Sequence, residues 1–184
     1  MPRAPLVGDA LAREIREALR DVPDFPKRGI LFKDITPLLA RPALFRAATD
    51  AMALPFLASG ITHVVAVESR GFIFGAPVAQ TLGAAFVPVR KVGKLPWKTS
   101  RVDYALEYGS DALEMHTDAL AANARVLVVD DVLASGGTAA AACRLIDEAG
   151  GEVSACVFLL ELAFLNGAEK LRGREVRALL RLEV

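Results

Sequence analysis

Two cysteines, one tryptophan, two tyrosines and no surplus of either charge are what this 184-residue sequence brings to chemistry at first sight. Each shortage excludes something. Lys+Arg and Asp+Glu both number 22, for a formal net charge of +0. The chain therefore offers no general electrostatic attraction to nucleic acid or to an acidic membrane, and any anion site must be local. Cys143 and Cys156 sit inside apolar patterning rather than at metal-ligand spacing. They read as two reduced core thiols of a cytoplasmic protein. The longest apolar runs, such as ACVFLLELAFL, are interrupted by Glu161 and are too short to span a bilayer. The N-terminus has no compact apolar segment followed by a small-residue cleavage site, so a secretory signal is not expected. There is no Walker A loop and no spaced-glycine dinucleotide fingerprint.

What is present is ordinary for a soluble globular chain: 53% hydrophobic and 24% charged residues. The expectation is a single domain over 1–184. Leu11, Ile15 and Leu19 form a helical stripe with charges between them. VPDFPKRGILFKDITPLL, rich in proline, reads as a structured loop rather than a regular element. A helix is expected from Ala43 to about Ala58, with Pro55 breaking or ending it. A β/α alternation then begins. HVVAV (63–67) reads as a buried strand, GFIFGAPVAQTLG as a helix ended by Gly83, and AFVPV (85–89) as another strand. Residues 90–103 carry Arg90, Lys91, Lys94, Lys98 and Arg101 with little apolar periodicity, and read as a long exposed loop. YALEY and LEMHT alternate like strands. VLVVD (126–130), a helix from about Gly136 to Ala149, EVSACVFLLEL (152–162) and EVRALLRLEV (175–184) complete the series. Strands apolar on both faces, alternating with helices, predict an α/β fold with a mainly parallel central sheet covered on both sides.

The segment VLVVDDVLASGGTAAAA carries the chemistry. In an open α/β sheet, ligands gather beyond the carboxyl ends of the strands. There Asp130 and Asp131 are followed by Ala134-Ser135-Gly136-Gly137-Thr138 and a helix. Paired glycines let successive N–H groups curl into a nest, and the helix N-terminus favours negative charge. Ser135 and Thr138 add hydroxyl donors. A phosphate on the loop and hydroxyls donating to two carboxylates describe a sugar phosphate. A bare GG turn would signify only a helix start; the whole string is far more specific.

That string resembles the 5-phosphoribosyl-1-pyrophosphate (PRPP) motif of the type I phosphoribosyltransferases. The resemblance assigns the ribose 2- and 3-hydroxyls to Asp130 and Asp131 and the 5-phosphate to residues 134–138. VPDFPKRGILFKDITPLL, ESRGFIFGAPVA, VPVRKVGKLP and LEYGSDALEMHTDAL are similar, in order, to segments of the adenine phosphoribosyltransferases. The resemblance implies a type I fold with a small hood near residues 20–40 and a mobile loop near 91–109. It also implies the reaction adenine + PRPP ⇌ AMP + pyrophosphate, with Mg²⁺ held through PRPP rather than by protein ligands, in a homodimer. Arg70 and Ser69 of the ESRG turn, with Arg90, Lys91 and Lys94, are the pyrophosphate candidates; for the three loop residues the alternative is a solvated basic surface. Glu107, beside Tyr108, is the candidate for acid–base assistance at the purine; it could equally be an exposed strand residue next to a packed tyrosine. Leu31, Phe32, Lys33 and Leu162 are placed around adenine, although periodicity alone would make Leu31 and Leu162 core filler. Lys33 stands where the family usually has Arg, and Ser135 where Thr is more usual. His63 and His116, far apart and without ligand spacing, read as structural or surface residues.

Two other readings are open to the same motif. A PRPP-sensing regulator usually adds a DNA-binding module, which this short, neutral chain has no basic recognition helix to supply. A transferase for a 6-oxopurine or pyrimidine needs donors for a carbonyl oxygen, and the VPDFP and GILF stretch argues against it.

Overall fold

The computed structural model describes residues 7–105 and 110–183. Its main sheet has seven strands: β3 (His63–Val67), β4 (Ala85–Lys91), β5 (Thr99–Ala105), β6 (Ser110–His116), β7 (Arg125–Leu133), β8 (Glu152–Leu162) and β9 (Val176–Leu182). They run in the order β5-β6-β4-β3-β7-β8-β9. Pairing is parallel from β4 through β3, β7 and β8 to β9, and antiparallel where β6 joins β4 and β5. A separate two-stranded sheet pairs β1 (Arg20–Pro23) with β2 (Leu31–Asp34).

The buried strands explain themselves by their alternation. Val64, Leu127, Val129, Val157 and Leu159 face one apolar cluster, completed by Ile15, Leu38, Met52, Phe74 and Val78. Val65, Val67, Val126, Val128, Cys156 and Phe158 face the other, completed by Ala142, Leu145 and Ile146. Period-two side chains thus bury both faces of the parallel strands, as an α/β sheet requires. The covering helices are α1 (Asp9–Ala18), α2 (Thr36–Leu39), α3 (Pro42–Ala53), α4 (Gly71–Leu82) and α5 (Gly137–Glu148). None of the described helices is long and apolar enough to cross a membrane. Cys143 and Cys156 are free and buried, their sulfurs 3.6 Å apart.

Several expectations shift in detail. The VPDFPKRGILFKDITPLL stretch is more regular than a loop, because Val22 pairs with Phe32 and Pro23 with Leu31 before Thr36 starts α2 with Pro37 in its first turn. The helix after Ala43 ends at Ala53, and Pro55 lies in a short 3₁₀ turn instead. Residues 90–103 are not one loop: β4 continues to Lys91 and β5 begins at Thr99, since Arg90 and Lys91 pair with Glu114 and Leu113. Strand β7 runs past Asp130 to Leu133, continuing its ladder with β8.

Candidate active site

β3 ends at Val67, while its neighbour β7 continues through Asp130 and Asp131. That offset leaves a recess at the carboxyl edge of the sheet. It is a pocket of about 220 Å³ lined by Glu68, Ser69 and Arg70 on one side and residues 130–139 on the other. The sequence-predicted phosphate loop, carboxylate pair and ESRG turn therefore meet in one place.

The loop is built as the phosphate nest requires. Gly136 sits in the left-handed region at φ 76° and is the N-cap of α5. No side chain caps that helix, so its leading N–H groups are left available at the pocket. Across the recess, a peptide bond in the cis form joins Glu68 to Ser69. The helix that follows, α4, begins close against the carboxylates. A Cβ on Gly71 would stand 2.7 Å from Asp130 Oδ1 and 3.1 Å from the Val129 carbonyl oxygen. Only glycine permits that approach.

Asp131 is 4% exposed. Its Oδ2 lies 2.7 Å from Arg70 Nε as an ion pair but accepts no aligned hydrogen bond. Asp130 Oδ1 accepts the Asp131 N–H at 2.9 Å. Burial pushes both carboxyl groups up from the usual carboxylate range; the negative charge of Asp131 pushes Asp130 further, whereas Arg70 opposes the rise at Asp131. Two acids held close at the lining of one recess suit a ligand that brings hydroxyl donors.

Arg70 reaches a second element. Its guanidinium lies over the Phe32 ring at 5.1 Å, and Phe32 meets Phe25 edge-on at 5.1 Å. The β1–β2 sheet is thereby brought to the rim of the pocket. Leu31 is exposed there, whereas Lys33 is half-buried, its Nζ donating to Asp21 Oδ1 at 2.6 Å. Leu162, at the end of β8, packs partly buried against the first apolar cluster.

Arg90 and Lys91 are engaged with acids. Arg90 donates to Glu68 from Nε at 3.1 Å and Nη2 at 2.9 Å, and from Nη1 to the Lys94 carbonyl at 2.8 Å. The Arg90 guanidinium holds the Glu68 carboxyl below its ordinary range. Lys91 Nζ lies 3.1 Å from Asp111 Oδ2, and its backbone N–H donates to Glu68. Glu68 itself was missed as a site residue by sequence reasoning. The signal was present: a carboxylate at a strand's carboxyl end, two residues before Arg70. Glu107 and Tyr108 lie outside the described residues. His63 is buried, its Nδ1 2.7 Å from Thr62 Oγ1, remote from the pocket lining.

Residues 35–175 match the phosphoribosyl transferase domain model. The chain belongs to the phosphoribosyltransferase family. Within it, the chain is 54% identical over 179 residues to the adenine phosphoribosyltransferase of Myxococcus xanthus, covering 97% of each. Among solved structures it is similar to the adenine phosphoribosyltransferase of Rhodothermus marinus, at TM-score 0.91 and 50% identity, covering 95% of this chain and 100% of that one. It is also similar to the Saccharomyces cerevisiae enzyme complexed with an imino-altritol bisphosphate and adenine, at TM-score 0.88 and 41% identity over 93% of this chain and 99% of that one. The phosphoribosyltransferase fold expected from the sequence is the fold found.

Proposed function

We infer that this phosphoribosyltransferase transfers the 5-phosphoribosyl group of PRPP to adenine, giving AMP and pyrophosphate. The observation that carries the reading is the single recess in which the 134–138 loop faces Asp130, Asp131 and Arg70, with Phe32 at its rim. The adenine specificity rests on the relatives just named.

In this reading the 5-phosphate lies on the N–H groups and hydroxyls of Ala134, Ser135, Gly136, Gly137 and Thr138. Asp130 and Asp131 accept from the ribose hydroxyls. The C–O bond to pyrophosphate breaks as adenine N9 bonds to the same carbon, through a transition state with oxocarbenium character. Ser69, Arg70, Arg90, Lys91 and Lys94 receive the departing charge. For Arg90 and Lys91 this requires exchanging their present partners, Glu68 and Asp111, for pyrophosphate oxygens. Phe32, Leu31, Lys33 and Leu162 hold the flat, apolar faces of adenine and read its edge through the main chain. Glu107 takes the acid–base role at the purine, and Tyr108 closes beside it.

The donor set fits Mg²⁺ held through substrate. Asp130 and Asp131 line the recess beside the phosphate loop, and a hard cation of this size is content with phosphate and hydroxyl oxygens. When bound, Mg²⁺ supplies charge neutralisation to the pyrophosphate. A cytoplasmic homodimer, with one domain over 1–184, a hood near 20–40 and a closing loop near 91–109, completes the proposal.

The test is direct. Incubation of the protein with PRPP and Mg²⁺ and, separately, adenine, hypoxanthine, guanine or orotate is expected to form AMP and little other nucleotide. Absence of AMP would defeat the reading.

A further inference from the structure

The segment after β8 does not line the pocket, yet it touches the loop that does. Asn166 turns the chain at φ 52°, and Gly167 opens a 3₁₀ helix, Gly167–Leu171. A Cβ at Gly167 would stand 2.0 Å from the Ala134 carbonyl oxygen and 2.8 Å from the Gly136 nitrogen. A Cβ at Gly136 would stand 2.1 Å from the Gly167 carbonyl oxygen. The two backbones lie against each other with no side chain between them. Both contacted groups are peptide atoms, which cannot swing aside as a side-chain tip can. The wall is itself anchored: Ala163 and Leu171 are buried, and Leu171 belongs to the cluster beneath α5.

We propose that Gly167 is a positioning residue for substrate, acting through the phosphate loop: its bare backbone sets how far Ala134–Gly136 can recede, and so where the loop's N–H groups meet the 5-phosphate of PRPP. This rests on the assignment of residues 134–138 to that phosphate. The nest works only if its N–H groups converge at hydrogen-bond distance, and a shift of a few tenths of an ångström in one amide loses that convergence. A methyl at 167 must push the loop inward or the wall outward. The ribose and adenine contacts, carried by other elements, are left in place.

The Gly167→Ala variant is therefore expected to raise KM for PRPP about tenfold or more, while kcat at saturating PRPP and KM for adenine stay within about threefold. A general loss of structure would not produce that split. Thr138→Val, in the loop itself, is the companion variant. If Thr138→Val raises KM for PRPP and Gly167→Ala does not, the positioning role is overturned and the loop assignment stands. If Thr138→Val leaves KM for PRPP unchanged, the loop assignment falls and the inference with it, whatever Gly167→Ala does. Equal losses in kcat and in both KM values would also overturn it. Should the variant not fold, amide exchange of the unmodified protein decides: ribose 5-phosphate is expected to slow exchange at 166–168 together with 135–138, and slowing confined to 135–138 would count against the proposal.

Discussion

Arg70 Nε and Asp131 Oδ2 face each other at 2.7 Å across the recess, one side chain following β3 and the other buried in β7. The oxygen is in ionic contact but accepts no aligned hydrogen bond. Arg70 thus offsets the charge of a buried carboxylate and keeps its own side chain within reach of a departing anion. Asp131→Asn keeps the shape but replaces one acceptor oxygen by a donor and removes the counter-charge. A hydrogen bond to a charged group contributes about 1.5–3 kcal/mol. PRPP affinity, followed by ligand titration of fluorescence or heat, is expected to fall by about tenfold or more. Unchanged affinity would mean that this carboxylate does not hold the sugar.

Asp130 carries a cost for the fold that the function explains. Burial, reinforced by the neighbouring Asp131 charge, raises its carboxyl well above 3.8. The folded state therefore binds a proton more readily than the unfolded chain. Stability from this group is greatest when it is protonated and falls as pH rises through the raised folded value. Asp130→Asn removes the charge while retaining an oxygen to accept the Asp131 N–H. The variant is expected to unfold at a higher temperature than the unmodified protein at pH 7, with the gap closing towards pH 4, and to bind PRPP more weakly. A lower melting temperature at pH 7 would show that the charge is well solvated or paired. The exchange of stability for a binding site is common where like charges are brought together.

The parts of this molecule that were legible in the sequence share a property: the signal is local. HVVAV and VLVVD announce buried strands by continuous apolar residues, and the DD-x-x-A-S-G-G-T string fixes a strand, a turn and a helix start within a dozen positions. Thr99–Ala105 was hidden because its partner, β6, supplies the ladder, and the alternation of Arg101-Val102-Asp103-Tyr104 is too short to stand out after a run of basic and turn residues. β1 and β2 were hidden in the same way, their pairing being set by the fold of the intervening chain rather than by apolar content. The contact of Gly167 with Gly136 joins positions 31 residues apart in number, and a single Gly in NGAEK gives no hint of its neighbour. The Glu68–Arg90 pair was unreadable for the same reason: each residue type was visible, their meeting was not.

That pair yields the last prediction. Arg90 grips Glu68 with two nitrogens and the Lys94 carbonyl with a third, which fixes the guanidinium plane beside the pocket. Planar, forked geometry is what a carboxylate or phosphate recognises in arginine, and lysine cannot reproduce it. Arg90→Lys retains the charge but loses the fork. Because Arg90 must leave Glu68 to meet pyrophosphate, Arg90→Lys is expected to weaken PRPP binding about tenfold, whereas Glu68→Gln, which removes the competing charge, is expected to tighten it a few-fold. Because the Arg90 guanidinium holds Glu68 below the usual carboxylate range, the stabilisation from the pair is present above the ordinary glutamate value of 4.5 and is lost as pH falls through the lowered folded one. Acid unfolding followed by circular dichroism is therefore expected to begin at higher pH in Arg90→Lys than in the unmodified protein. Coincident acid transitions would confine Glu68 to substrate binding and deny it a part in the fold.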